Sequence, residues 1–160
     1  MLTRIYSNDM SSLLEQISQD LNSAIKARDA VAVSTLRFLL SGLHNAKIAK
    51  GKDLADDEVI SEIAKGVKRH QESIVAYEAG GRVDLAEKEK TEMAILRKYQ
   101  PAQLPAQEIE KIVDEVIAQF GAVGIGDLSK VMAAVMPKVK GKADGAVVSE
   151  IVKSRLSTNG

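Results

Sequence analysis

A chain of 160 residues with 45% hydrophobic content can bury a real core, in one compact domain or two small ones, which excludes disorder throughout. Lys and Arg total 22 and Asp and Glu total 22, so no net field draws a polyanion from a distance and any contact with nucleic acid must be local. With no cysteine there is no disulfide framework, thiolate metal cage or cysteine nucleophile; the first ten residues lack the apolar run of a secretory signal, and no stretch approaches the roughly 20 apolar residues of a membrane span.

The expected compartment is therefore the cytoplasm, with no membrane partner. Helical period runs through almost the whole chain. Leu14, Ile17, Leu21, Ala24 and Ile25 make an apolar stripe at three- and four-residue spacing, opened by Ser12 and Glu15 in a capping-box pattern. After a very short turn, Asp29 can cap a second helix in which Val33, Leu36, Leu40, Leu43 and Ala46 repeat until Gly51. A third starts at Asp56, Asp57 and Glu58, acids suited to the positive end of a helix dipole. It buries Ile60, Ile63, Val67, Ile74 and Tyr77 up to Gly80 and Gly81. Asp84 with Glu87 opens a fourth, running to about Tyr99.

No proline interrupts the first hundred residues, where an interior proline would cost about 3 kcal/mol. Pro101 and Pro105 then mark residues 100–105 as a joint. Beyond it, Ile109, Ile112, Val113, Val116 and Ile117 line one helix. Leu128, Val131, Met132 and Val135 line a second, and Val147, Val148, Ile151, Val152 and Leu156 a third. The expected fold class is all-α in two helical subdomains, a longer N-terminal part at 11–99 and a small C-terminal three-helix bundle at 106–160. The latter is close to the lower size limit for independent stability.

The residue patterns of catalysis and metal binding are missing. His44 and His70 lie 26 positions apart without clustered partners, so no metal ligand set is expected, and His70 falls on the third helix's apolar stripe as a partly buried core histidine. No serine sits in a nucleophile elbow. Carboxylate pairs such as Asp56 and Asp57, or Glu87 and Glu89, fall at helix starts and on polar faces, where solvation accounts for them. Gly121, Gly124 and Gly126 follow a helix rather than a strand, which removes the dinucleotide reading, and a KH-type loop would need a sheet. They read as a turn between helices. No catalytic residue and no cofactor are expected.

Charge is unevenly placed. Residues 101–127 carry Lys111 against five anions, whereas 128–160 carry six cations against Asp144 and Glu150, a net +4. The densest stretch is Pro137-Lys-Val-Lys-Gly-Lys-Ala-Asp-Gly145. If it is extended, Lys138, Lys140 and Lys142 point to one side, beside the amino end of the last helix, where a phosphate can rest. Asp144 as the cap of that helix opposes this, and a solvated lysine turn is the other reading. Lys130, Lys153 and Arg155 can extend the patch. Only five aromatics occur, and Tyr77, Tyr99 and Phe120 read as packing residues, so backbone contact rather than base stacking is the expected mode.

Four segments together resemble the GatB/YqeY family: Thr35-Leu-Arg-Phe-Leu-Leu-Ser41, Gly81-Arg82 through Asp84-Leu85 to Glu89, Tyr99-Gln-Pro-Ala-Gln-Leu104, and Lys130-Val-Met132 through Met136-Pro137 to Gly141-Lys-Ala-Asp-Gly145. The resemblance spans about residues 11–157. Met10-Ser-Ser-Leu is similar to the family's usual start, so residues 1–9 read as an extension or an upstream start, and the N-terminal extension is bounded at residues 1–10, ahead of the helical part. The resemblance implies two helical subdomains, the second similar to the tail domain of the GatB subunit of the tRNA-dependent amidotransferase, which contacts the tRNA body. Free-standing members carry a label of carbon–nitrogen ligase activity with glutamine as amido-N-donor, but no ATP or glutamine site is visible here. Ala55 and Pro105 depart from the usual Ser or Thr helix caps, and Gln100 stands where an apolar residue is usual. The expectation is a non-catalytic tRNA-related binding module using Lys130, Lys138, Lys140, Lys142, Lys153 and Arg155. A protein-interaction adaptor, with a partner protein on the N-terminal helical part, is the alternative.

Overall fold

A computed structural model of the chain describes residues 12–158, which form seven α-helices, one short 3-10 turn and no strand. The all-α expectation holds; the extension read at residues 1–10 lies outside the described residues. The chain divides between Gln100 and Pro101 into two compact units, each with its own apolar core.

In the first unit, α1 (Leu13–Lys26) starts on the reciprocal capping box. The Ser12 hydroxyl accepts the Glu15 N–H, and the Glu15 carboxylate accepts the Ser12 N–H, both at 3.2 Å. The turn that follows is tight, with Arg28 at φ 56. α2 (Ala30–Lys50) is capped by the Asp29 carboxylate, which accepts the Ala32 N–H at 3.0 Å, and it stops at Gly51, φ 79. α3 (Asp56–Ala79) lacks a side-chain cap at Ala55. Instead Glu58 turns back to accept the Ala55 N–H at 2.8 Å, and Lys50 pairs with the same carboxylate. α4 (Val83–Arg97) returns after Gly81, whose φ of 70 suits glycine.

α1 packs on α2, α3 on α4, and α2 against both helices of the second pair. Ile17, Leu36, Leu39, Leu43, Val59, Ile63, Val67 and Leu96 form the core. Two stripe positions differ from expectation. Ile25 is half exposed and Val59, not Ile60, is fully buried. Successive helical residues point about 100° apart, so Ala24 and Val59 occupy the core-facing direction that their larger or later neighbours cannot share. α3 and α4 come close at Gly66, where a Cβ would lie 3.0 Å from Leu96 Cδ1.

In the second unit, α5 (Ala106–Phe120) follows Pro105 without a side-chain cap and ends at Gly121, φ 60. The 3-10 turn at Ile125–Asp127 leads into α6 (Leu128–Val139), with the Asp127 carboxylate accepting the Val123 N–H at 3.1 Å. α7 (Gly145–Thr158) begins where the Asp144 carboxylate accepts the Ala146 N–H at 2.9 Å, as its position suggested. Three rows meet in the core: Ile109, Val113, Val116 and Ile117 from α5, Val131, Val135 and Val139 from α6, and Val148, Val152 and Leu156 from α7. Val147, expected in the stripe, is exposed because the four-residue row of α7 runs through Val148. Among the described residues no single helix is long and apolar enough to cross a membrane.

Candidate functional site

The lysine-rich segment joins α6 to α7. Helix α6 continues past Pro137 because Val139, in register with Val131 and Val135, is fully buried; Lys138 therefore lies in the last helical turn. Lys140 closes the helix at φ −54 and ψ 126, and Gly141 at φ 76 reverses the chain. The N–H groups of Lys142 and Ala143 both donate to the Val139 carbonyl, at 2.8 and 3.1 Å. This is a closed turn, so the extended segment with lysines alternating to one side does not form. The turn is held further from within the same unit. Leu104 N–H donates to the Lys142 carbonyl at 2.8 Å, and the Gln103 amide donates to the Gly141 carbonyl at 3.0 Å.

The six cations named from the sequence fall into three environments. Lys138, Lys140, Lys142 and Lys153 are exposed, and among the described residues none has a carboxylate within 4.0 Å. Lys130 is also without a carboxylate, and its ammonium sits 5.4 Å from the centroid of the Phe120 ring. Phe120 is 46% exposed, which corrects its expected role as a packing residue. Arg155 is engaged: Nη2 lies 3.0 Å from Glu110 Oε2 and Nε 3.4 Å from Asp114 Oδ1, joining α7 to α5. Two carboxylates neutralise it, so it adds least to a positive surface.

The first unit holds a separate feature, a groove of about 630 Å³ between α2, α3 and α4. On one wall the Arg69 guanidinium lies 5.9 Å from the centroid of Phe38, whose ring is 67% exposed. His70, Glu89 and Glu92 line the same groove. His70 Nδ1 is 2.6 Å from Glu89 Oε2 and 3.9 Å from Glu92 Oε2, and the three side chains are 18%, 20% and 17% exposed. His70 is partly buried, as its place on the stripe indicated. Glu89 is not on a solvated face: it turns inward to the histidine. The Glu89 and Glu92 spacing, three apart on α4, puts both on one face, but nothing in the sequence says that this face meets α3 at His70. His44 is exposed and lies outside the groove lining.

Comparison with known proteins adds relatives to this geometry. The family profile described as Yqey-like protein matches residues 14–156. Altered inheritance of mitochondria protein 41 of Kluyveromyces lactis is 35% identical over 102 residues, which cover 63% of this chain and 55% of the relative. The protein of the same name from Pyrenophora tritici-repentis is 27% identical over 147 residues, 90% of this chain and 78% of its own. A glutamyl-tRNA(Gln) amidotransferase component of Saccharolobus solfataricus is 32% identical over 125 residues, 68% of this chain and 18% of that protein. The chain thus spans about half the length of the Kluyveromyces relative and under a fifth of the amidotransferase component.

Proposed function

The chain belongs to the Yqey-like protein family, and from that premise we propose that it is a non-catalytic, tRNA-related binding module whose second unit meets RNA backbone. The observation that carries this reading is the group of five lysines, 130, 138, 140, 142 and 153, exposed in that unit without carboxylate partners among the described residues. An unneutralised lysine can displace a counterion from a phosphate, whereas Arg155, held by Glu110 and Asp114, has that capacity already taken up. Similarity to a protein named for glutamyl-tRNA(Gln) supports tRNA as the class of RNA. The amidotransferase activity named for that protein belongs to a chain more than five times longer than the matched part, and is not carried over here.

The test is tRNA titration with the full chain at 50 and 200 mM salt. Three phosphate contacts give a log–log salt slope of about −2.1 to −2.7, hence a roughly 20- to 40-fold loss of affinity across that range. A folded Lys138→Ala, Lys140→Ala, Lys142→Ala triple variant should lose most of the binding, and Arg155→Ala should keep it. Absence of binding by wild type at low salt would overturn the proposal.

A second reading, a protein-interaction adaptor, is favoured by exposed large hydrophobics in the first unit, with Phe38, Ile48 and Val75 each about two-thirds exposed. Retention of a defined partner by wild type, and its loss in Phe38→Ser, would support it. A third, carbon–nitrogen ligase activity with glutamine as amide donor, would be established by glutamine-dependent ammonia transfer from the purified chain alone. The compartment is a proposal of the same kind: cytoplasm from composition, against the mitochondrial names of the fungal relatives. Fractionation of cells expressing the tagged full-length chain decides between them.

A further inference from the structure

We infer that His70, Glu89 and Glu92 form a binding site for one divalent first-row cation, of the zinc or manganese type, open to the groove of the first unit. This stands apart from the RNA reading, since these residues lie in the other unit.

Three observations carry it. The first is the donor set: an imidazole nitrogen from α3 and two carboxylate oxygens from α4, all within 4.8 Å of one another. Imidazole with carboxylate suits zinc and manganese, whereas magnesium and calcium favour oxygen alone. The second is charge. With a neutral imidazole the trio carries two negative charges at side-chain exposures of 17% to 20%. The nearest lysine, Lys88, is 65% exposed and reaches only Glu92 Oε1, at 3.9 Å. A divalent ion held between them brings the trio with a neutral imidazole to neutrality. The third is access. The trio lines the groove, so an ion has a way in, and three protein ligands leave a coordination position for water or an anion.

The movement required is small. Metal bonds of about 2.0–2.2 Å hold adjacent donors about 3.0–3.5 Å apart, so the His70–Glu89 contact at 2.6 Å opens slightly, the His70–Glu92 separation at 3.9 Å closes by less than about 1 Å, and the Glu89 and Glu92 oxygens, within 4.8 Å of each other, close by at most about 2 Å. Lys88 engages Glu92 Oε1 and leaves Oε2, the oxygen facing His70, for the metal.

The experiment uses the full chain stripped with a chelator and titrated with zinc, and separately with cobalt, whose visible absorption reports its ligands. The expected result is binding of one equivalent. At zinc about tenfold above the dissociation constant, the unfolding midpoint of the first unit should rise by roughly 5–10 °C. Glu89→Gln with Glu92→Gln, which preserves shape and removes both charges, should abolish the rise. His70→Gln should weaken binding at least about tenfold and change the cobalt spectrum. His44→Gln should leave both unchanged. If the double glutamine variant fails to fold, His70→Gln and the cobalt spectrum decide. No midpoint shift in wild type, or binding that survives these substitutions and is lost in His44→Gln, would overturn the inference.

Discussion

Arg28 occupies the left-handed region at φ 56, at a turn where Ala27, Arg28 and Asp29 donate their N–H groups back to Ser23, Ile25 and Ala24. A side chain in that region costs about 1–2 kcal/mol relative to glycine, part of which glycine returns through greater freedom in the unfolded chain. Arg28→Gly should therefore stabilise the first unit by about 0.5–1 kcal/mol, read as a higher urea midpoint with an unchanged slope. Tyr99 shows the opposite kind of local control. Its hydroxyl donates to Asp20 Oδ2 at 2.6 Å, and burial together with that carboxylate pushes the phenol above its ordinary value near 10. The folded chain then holds the proton more tightly than the unfolded chain. The contact's contribution is complete below about pH 10 and is lost as pH rises beyond it. Stability of wild type measured from pH 8 to 11.5 should fall more steeply at the top of the range than that of Tyr99→Phe. Equal slopes would exclude the coupling. Caps were legible at this scale because they are local: Ser12, Asp29 and Asp144 each act within three residues of themselves. The partners of His70 were not, since Glu89 and Glu92 reach it from a different helix.

At the scale of elements, helix existence followed from apolar spacing, but the choice of face needed the neighbour. Gly66 is the clearest example. Nothing local marks it out, yet it sits where α3 and α4 approach, with space for a Cβ only 3.0 Å from Leu96 Cδ1. Gly66→Leu should overpack this contact and destabilise the first unit by about 1–3 kcal/mol, measurable by chemical denaturation. The end of α6 behaves the same way. Proline followed by alternating lysines invites an extended reading, but the burial of Val139 holds one more turn in the helix and leaves Lys140 and Lys142 on either side of a closed reversal. The Arg155 ion pairs bridge α7 and α5 at a site 40% exposed. Arg155→Ala should cost about 1 kcal/mol or less, because exposed pairs are screened by water.

At the scale of the molecule, two cores in one chain predict two transitions. Leu156 is fully buried in the second unit, and Leu156→Ala should cost about 2–5 kcal/mol, a large share of what a unit of that size can hold. All three tyrosines precede residue 101 and the chain has no tryptophan, so tyrosine emission reports the first unit while far-ultraviolet circular dichroism reports both. In Leu156→Ala the circular dichroism transition should begin at lower denaturant, with the emission transition unchanged. A single coincident shift of both signals would contradict independent cores. What the sequence by itself determined was the all-α class, the position of most helices, the main apolar rows and the family, because these rest on periodicity, caps and prolines that act over a few residues or on short ordered motifs. Only the tertiary structure decided which lysines stay unpaired, that Arg155 is neutralised, that Phe120 is exposed under Lys130, and that one histidine meets two glutamates across a helical hairpin. Those outcomes depend on contacts between residues 10 to 45 positions apart, whose pairing is set by how helices pack and not by any pattern along the chain.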